Sequence, residues 1–140
     1  MQKIVPHLWF GKEARQAAEF YEEIFGNGSK IISAATLHDT PSGDVEVVSF
    51  DIWDYRFTSI SAGPLFKFNP SISFMVNFDP SQDKHAKERI DEIWEKLEKG
   101  GTALMLPDKY PFSERYGWIQ DRYGVSGSLS IPVLKEKRGR

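Results

Sequence analysis

Apolar positions along the chain change period several times, and each change marks an element. Ile4 to Phe10 is a short apolar run with aromatic residues, which predicts a strand ended by Gly11. From Lys12 to Phe25 the period lengthens. Ala14, Ala17, Ala18, Tyr21, Ile24 and Phe25 recur at three- and four-residue steps, the apolar stripe of a helix. Gly26-Asn27-Gly28 stops it. Lys30 to Leu37 predicts a second strand, and His38 to Asp44 a polar turn. Val45 to Trp53 and Arg56 to Ala62 predict a hairpin around Asp54-Tyr55.

The pattern then restarts. Ser71 to Phe78 predicts a strand, ended by Asp79-Pro80. Gln82 to Lys99 predicts a helix with Ile90, Ile93, Trp94 and Leu97 on its apolar stripe and charged residues elsewhere. Gly100-Gly101 stops it, Thr102 to Leu106 predicts a strand, and Pro107 to Glu114 an aromatic-rich loop placed to cover a cavity mouth or a partner. Arg115 to Gln120 and Val125 to Val133 predict a last hairpin around Asp121-Arg122-Tyr123-Gly124. There Asp121 accepts backbone N–H groups and Gly124 takes a positive φ. Lys135 to Arg140 is a charged tail.

The order is therefore β-α-β-β-β twice, a duplication that fixes the fold class. We expect an α+β protein of one domain, made of two modules at about 1–65 and 69–134. The modules form a curved, mostly antiparallel sheet around a cavity, with the helices outside. Composition adds exclusions. A net charge of −2 offers no basic field for nucleic acid. No apolar run reaches the length of a membrane span, and the first residues lack a signal peptide's apolar core, so a cytoplasmic protein is expected. With no cysteine, disulfides, thiolate ligands and a cysteine nucleophile are excluded.

Several segments carry a family resemblance. They are Ile4-Val5-Pro6-His7-Leu8-Trp9-Phe10, Ala17-Ala18-Glu19-Phe20-Tyr21 with Phe25, Gly63 to Phe74, Trp94 to Gly101, and Tyr116 to Ser126. Together they resemble the vicinal oxygen chelate superfamily, which includes glyoxalase, bleomycin-resistance and dioxygenase proteins. Within it they resemble the PhnB-like branch, also labelled demethylubiquinone methyltransferase-like. The resemblance implies paired modules, a small-molecule ligand and a homodimer. It implies no single activity, because one fold hosts many. One departure is Gly127-Ser128, where the branch shows tryptophan and a polar residue.

Metal proteins of the superfamily take His, Gln or Glu from the first and last strand of each module. On this resemblance the four ligand positions fall at Val5, among Phe57, Ser59 and Ser61, near Ser73, and at Ser128. None is a carboxylate or imidazole, so neither a metal nor another cofactor is expected. Strand parity puts His7 and Trp9 on one face. His7 reads either as a strand histidine hydrogen-bonded at a cavity wall or as a base or donor toward a ligand. The expected ligand-binding set is His7, Trp9, Phe50, Phe57, Ser59, Ser61, Phe68, Trp118, Gln120 and Ser128. Each aromatic member taken singly reads more readily as core or dimer packing. On this assignment Ser61→Phe would block the ligand and spare the fold.

The leading function is a metal-free, small-molecule-binding PhnB-like protein. The alternatives are a metal-dependent glyoxalase- or dioxygenase-type enzyme, a demethylubiquinone methyltransferase-like enzyme, and a drug-sequestering protein. No glycine-rich strand-to-helix turn, nucleophile elbow or phosphate loop occurs in the chain.

Overall fold

A computed structural model describes residues 1–133; the charged tail from Lys135 lies outside the described residues. The chain divides into two compact units, Met1–Phe68 and Asn69–Arg140. The first runs β1 (His7–Phe10), α1 (Ala14–Phe25), β2 (Lys30–Thr40), β3 (Gly43–Ile52) and β4 (Tyr55–Ser61). The second runs β5 (Ser73–Asn77), α2 (Ala86–Glu98), β6 (Thr102–Tyr110), β7 (Ser113–Gln120) and β8 (Ser126–Pro132). Each unit has one four-stranded mixed sheet, in the orders β1-β4-β3-β2 and β5-β8-β7-β6. In each, the first strand runs parallel to the last and the other pairs are antiparallel. The α+β class and the repeated β-α-β-β-β order are as the periodicity predicts.

Each helix buries its expected stripe on one sheet face. In α1 the buried residues are Ala14, Ala17, Ala18, Tyr21, Ile24 and Phe25. Three alanines bring α1 close to β3, where Phe50 stacks on Tyr21 at 6.0 Å and Val48 is fully buried. In α2 they are Ala86, Ile90, Ile93, Trp94 and Leu97. Gly117 of β7 lies under the Trp94 ring, which occupies the space a β-carbon would take.

Among the boundaries that differ from expectation, four shift the most. β1 begins at His7 rather than Ile4. β2 continues to Thr40, and the expected turn over 38–44 shrinks to Pro41-Ser42, because Thr40 Oγ1 donates to Gly43 O at 2.6 Å and closes the hairpin. Pro107 to Glu114 is not a loop. β6 runs through Pro107 to Tyr110, with register shifts that absorb the proline, and β7 starts at Ser113. Ser113 is fully buried, and its Oγ lies within hydrogen-bond distance of Arg115 O, Ile131 O and Ser130 Oγ.

The fourth is the start of α2, at Ala86 rather than Gln82. Asp79 and Asp83 hold the preceding residues in turns: Ser81 N–H donates to Asp79 Oδ1 at 2.9 Å, and His85 N–H to Asp83 Oδ1 at 2.9 Å. The His85 N–H, and then the Arg89 guanidinium at 2.8 Å, hold the Asp83 carboxyl below its ordinary pKa. A depressed folded-state value stabilises the fold above the unfolded value, about 3.9, and that stability is lost as pH falls through the folded value. Asp83→Asn is therefore expected to lower the melting temperature at pH 7. The gap to wild type closes in acid, as thermal melts across the carboxylate range would show.

Candidate functional site

The pairing registers decide which side chains share a face. In the first unit Phe50 lies opposite Phe57, Val48 opposite Ser59 and Glu46 opposite Ser61. Phe50 meets Tyr21 of α1, and Glu46 binds Arg15 of α1 at 3.0 Å. Phe57, Ser59 and Ser61 therefore point toward the helix. Ser59 is fully buried and donates to Val48 O at 2.9 Å. Ser61 Oγ accepts the Ala14 N–H at 3.0 Å, satisfying a donor at the start of α1. Phe57 stacks on Phe50 at 5.4 Å.

β1 pairs with β4 as Leu8 to Ser59 and Phe10 to Ser61, so His7 and Trp9 lie on the opposite face, beside Thr58 and Ile60. The expected grouping of Phe50, Phe57, Ser59 and Ser61 with His7 and Trp9 is corrected: one step of register puts the four on the helix side. Phe68 packs on Phe10 at 5.0 Å, not beside His7. His7 is exposed. Trp9 donates its indole N–H to Gly63 O at 2.9 Å and meets Phe66 edge-on at 5.0 Å. Arg56, on this same face, is committed to Asp51, whose hydrogen bond raises the guanidinium pKa above its ordinary value.

In the second unit Gly117 faces α2, and so do its partner Leu129 and the next inward residue, Ile131. The alternate residues of β8, Ser126, Ser128 and Ser130, point away from α2, and all three are buried. Register arranges this far face in rows. Met75, Ser128, Trp118 and Met105 form one, and Ser73, Ser126, Gln120 and Thr102 the next. Across the rows the Trp118 indole N–H donates to Ser126 Oγ at 2.8 Å, and within the second row Ser126 donates on to Ser73 Oγ at 3.0 Å. Gln120 donates to Gly124 O at 2.8 Å, leaving its carbonyl oxygen as an acceptor.

Ser128 differs from its neighbours. Its exposure is 3%, yet its hydroxyl makes no hydrogen bond among the described residues. It stands between two apolar side chains, Met75, which is 58% exposed, and Trp118. The far face of the second unit thus offers an apolar row with one unused hydroxyl, edged by a hydrogen-bonded polar row.

The turn after β7 behaves as expected. Asp121 Oδ1 accepts the Tyr123 and Val125 N–H groups at 2.8 and 3.1 Å, and Gly124 adopts φ 90°. Sequence reasoning finds Trp118, Gln120 and Ser128 here. It leaves out Met75 and Ser126, which the register sets in the same rows. The alternation of Ser126, Ser128 and Ser130 with Leu129 and Ile131 carries their signal, once β8 is seen to be a central strand.

The chain matches the family model described as 3-demethylubiquinone-9 3-methyltransferase over residues 2–129. The chain belongs to this family. A PhnB protein from Bacillus cereus with the same methyltransferase description is 30% identical, with a TM-score of 0.79 over 93% of this chain and 99% of that one. More distant structures share the fold. The fosfomycin resistance protein FosX from Listeria monocytogenes is 16% identical with a TM-score of 0.62, over 99% of this chain and 100% of that one. A glyoxylase/bleomycin resistance protein/dioxygenase domain from Frankia is 12% identical at 0.60, over 99% and 96%. No curated protein matches the chain.

The family raises two groups that the residues can be tested against. A divalent metal needs about three protein ligands of suitable type. No group of three His, Cys, Asp or Glu converges among the described residues, and the positions that the resemblance assigns hold Val5, Phe57, Ser59, Ser61, Ser73 and Ser128, none of them a carboxylate or imidazole. The donor set does not fit a metal. A nucleotide-type methyl donor needs a glycine-rich strand-to-helix turn. The β1–α1 turn has only Gly11, the β5–α2 turn has no glycine, and the leading N–H of α1 is taken by Ser61. The residues do not fit that donor either.

Proposed function

We propose that this chain is a metal-independent binding protein for a flat, largely apolar molecule bearing ring oxygens, of the quinone or phenol type. The observation that carries the reading is Ser128: a buried serine with an unused hydroxyl, set between Met75 and Trp118 on the face away from α2. No buried side-chain oxygen lacks a partner among the described residues, so the unused Ser128 hydroxyl keeps an open edge on this row, where a ligand oxygen can hydrogen-bond to it and be oriented by it. Met75 and Trp118 supply adaptable and flat apolar contact. Ser73 and Gln120 stand in the adjacent row for a second oxygen. The family's description, which names a demethylated quinone, supports the ligand class. Methyl transfer finds no support in the residues, and the reading assigns no reaction.

Tryptophan fluorescence tests this reading, because Trp118 borders the site. Protein stripped with EDTA is titrated with ubiquinone-0, a tail-less quinone, and separately with fosfomycin. Saturable quenching by the quinone, absent with fosfomycin and unchanged by added zinc or manganese, is the expected result. Quenching that requires the metal, or binding of fosfomycin alone, would replace the reading with a metal-dependent enzyme or a resistance protein.

A further inference from the structure

The two sheets have four outer strands, and they are not equally protected. β1 and β5 are short, at four and five residues. β6 carries Pro107, Asp108 and Lys109 and shifts register three times against β7. Short length, proline, charge and bulges are the devices by which sheets blunt their edges. β2 is different. It is eleven residues long, and nine of the eleven are exposed in this chain. Between bulges at Ile31/Ser33 and Leu37/Thr40, five consecutive residues, Ser33-Ala34-Ala35-Thr36-Leu37, hold an unbroken register against β3. That stretch has no charge and no proline, and it exposes Leu37 to 50%.

We propose that β2 is the dimer edge: two copies of this chain pair antiparallel through Ser33–Leu37, joining two sheets into one of eight strands. Three features favour a second copy over any other partner. Closed pairing of identical strands needs a segment symmetric about one residue that meets itself. The regular stretch is centred on Ala35, with a bulge following at either end, so the longest flat register is also the symmetric one. Its rows would be Ser33 with Leu37, Ala34 with Thr36, and Ala35 with Ala35, small enough for close approach. Charge supports the antiparallel sense. Lys30 stands at one end of β2, and Asp39 and Asp44 at the other. Antiparallel pairing brings each cationic end to the partner's anionic end, whereas parallel pairing would set Lys30 beside Lys30.

The test uses Ala35, whose two copies meet at the two-fold axis. Wild type is expected to scatter light as a dimer, about twice 16.0 kDa, at micromolar concentration. Ala35→Lys sets like charges directly opposite and is expected to give a folded monomer with an unchanged circular dichroism spectrum. The chain has no cysteine. Ala35→Cys therefore provides a second readout that does not depend on how the lysine variant folds. Paired antiparallel residues have Cα separations of about 4.5–5.5 Å, within disulfide reach. Mild oxidation is expected to link Ala35→Cys into a covalent dimer, while Thr102→Cys, on the protected β6 edge, stays single. A monomeric wild type, a dimer that survives Ala35→Lys, or equal cross-linking at both positions would overturn the assignment.

Discussion

Gly117→Ala is expected to destabilise the protein by about 1–3 kcal/mol, although it adds a single methyl group. The added carbon would sit 2.6 Å from Trp94 Cζ3 and 2.9 Å from Cε3. No carbon approaches that closely without displacement, and Trp94 has little room to give. It is a buried residue of the α2 stripe, with Ile90, Ile93 and Leu97 on either side. The methyl must push α2 off β7 or force the indole from its rotamer. Urea unfolding would show a lower midpoint with an unchanged slope. In a Trp94→Leu background, itself destabilised, the same Gly117→Ala change should cost much less, because the ring is what the methyl meets. A single Gly117→Ala variant as stable as wild type would mean that α2 does not pack on Gly117 in solution.

Ser61→Phe is the second variant with a large expected effect, about 2–4 kcal/mol of destabilisation: a lost helix-start partner worth about 1, plus overpacking worth about 1–3. Ser61 lies toward α1, where its hydroxyl accepts the Ala14 N–H and its neighbour Ala14 is fully buried. A phenyl ring there meets the first turn of the helix. Parity counted on β4 alone leads to the opposite expectation, that the ring would fill a ligand site and spare the fold. Unfolding and quinone titration on the same variant separate the two. The structure predicts a lower midpoint and retained binding. An unchanged midpoint with binding abolished would return Ser61 to the site.

That reversal shows where the sequence can and cannot be read. Helix stripes depend only on local period, and both helices bury the residues their spacing selects. The turn at Asp121 to Gly124 was equally legible, since aspartate and glycine each do one geometric job there. The faces of β7 and β8 were readable too, because that turn fixes their register, and so Trp118, Gln120 and Ser128 share a face as expected. β1 and β4 are different. They pair in parallel across the whole unit, and no turn ties one register to the other. A slip of one residue there exchanges Ser59 and Ser61 for Thr58 and Ile60. The β6–β7 hairpin is masked in the sequence because Pro107 and a cluster of aromatics have the chemistry of a loop. The strand tolerates the proline on its outer edge, and Tyr110, Phe112 and Tyr116 pack on one another at 4.9–5.8 Å around the turn.

Ser128→Ala probes the proposed site most directly, because its hydroxyl has no partner among the described residues to lose. Calorimetric titration of EDTA-treated wild type and Ser128→Ala with ubiquinone-0, alongside thermal melts of both proteins, separates ligand contact from fold. A metal-independent site on the Met75–Ser128–Trp118 row predicts binding by wild type, an affinity about 3- to 10-fold weaker in the variant, and equal melting temperatures, as the loss of one neutral hydrogen bond to the ligand requires. Equal affinities in the two proteins, or binding that appears only when a divalent metal is restored, would contradict it.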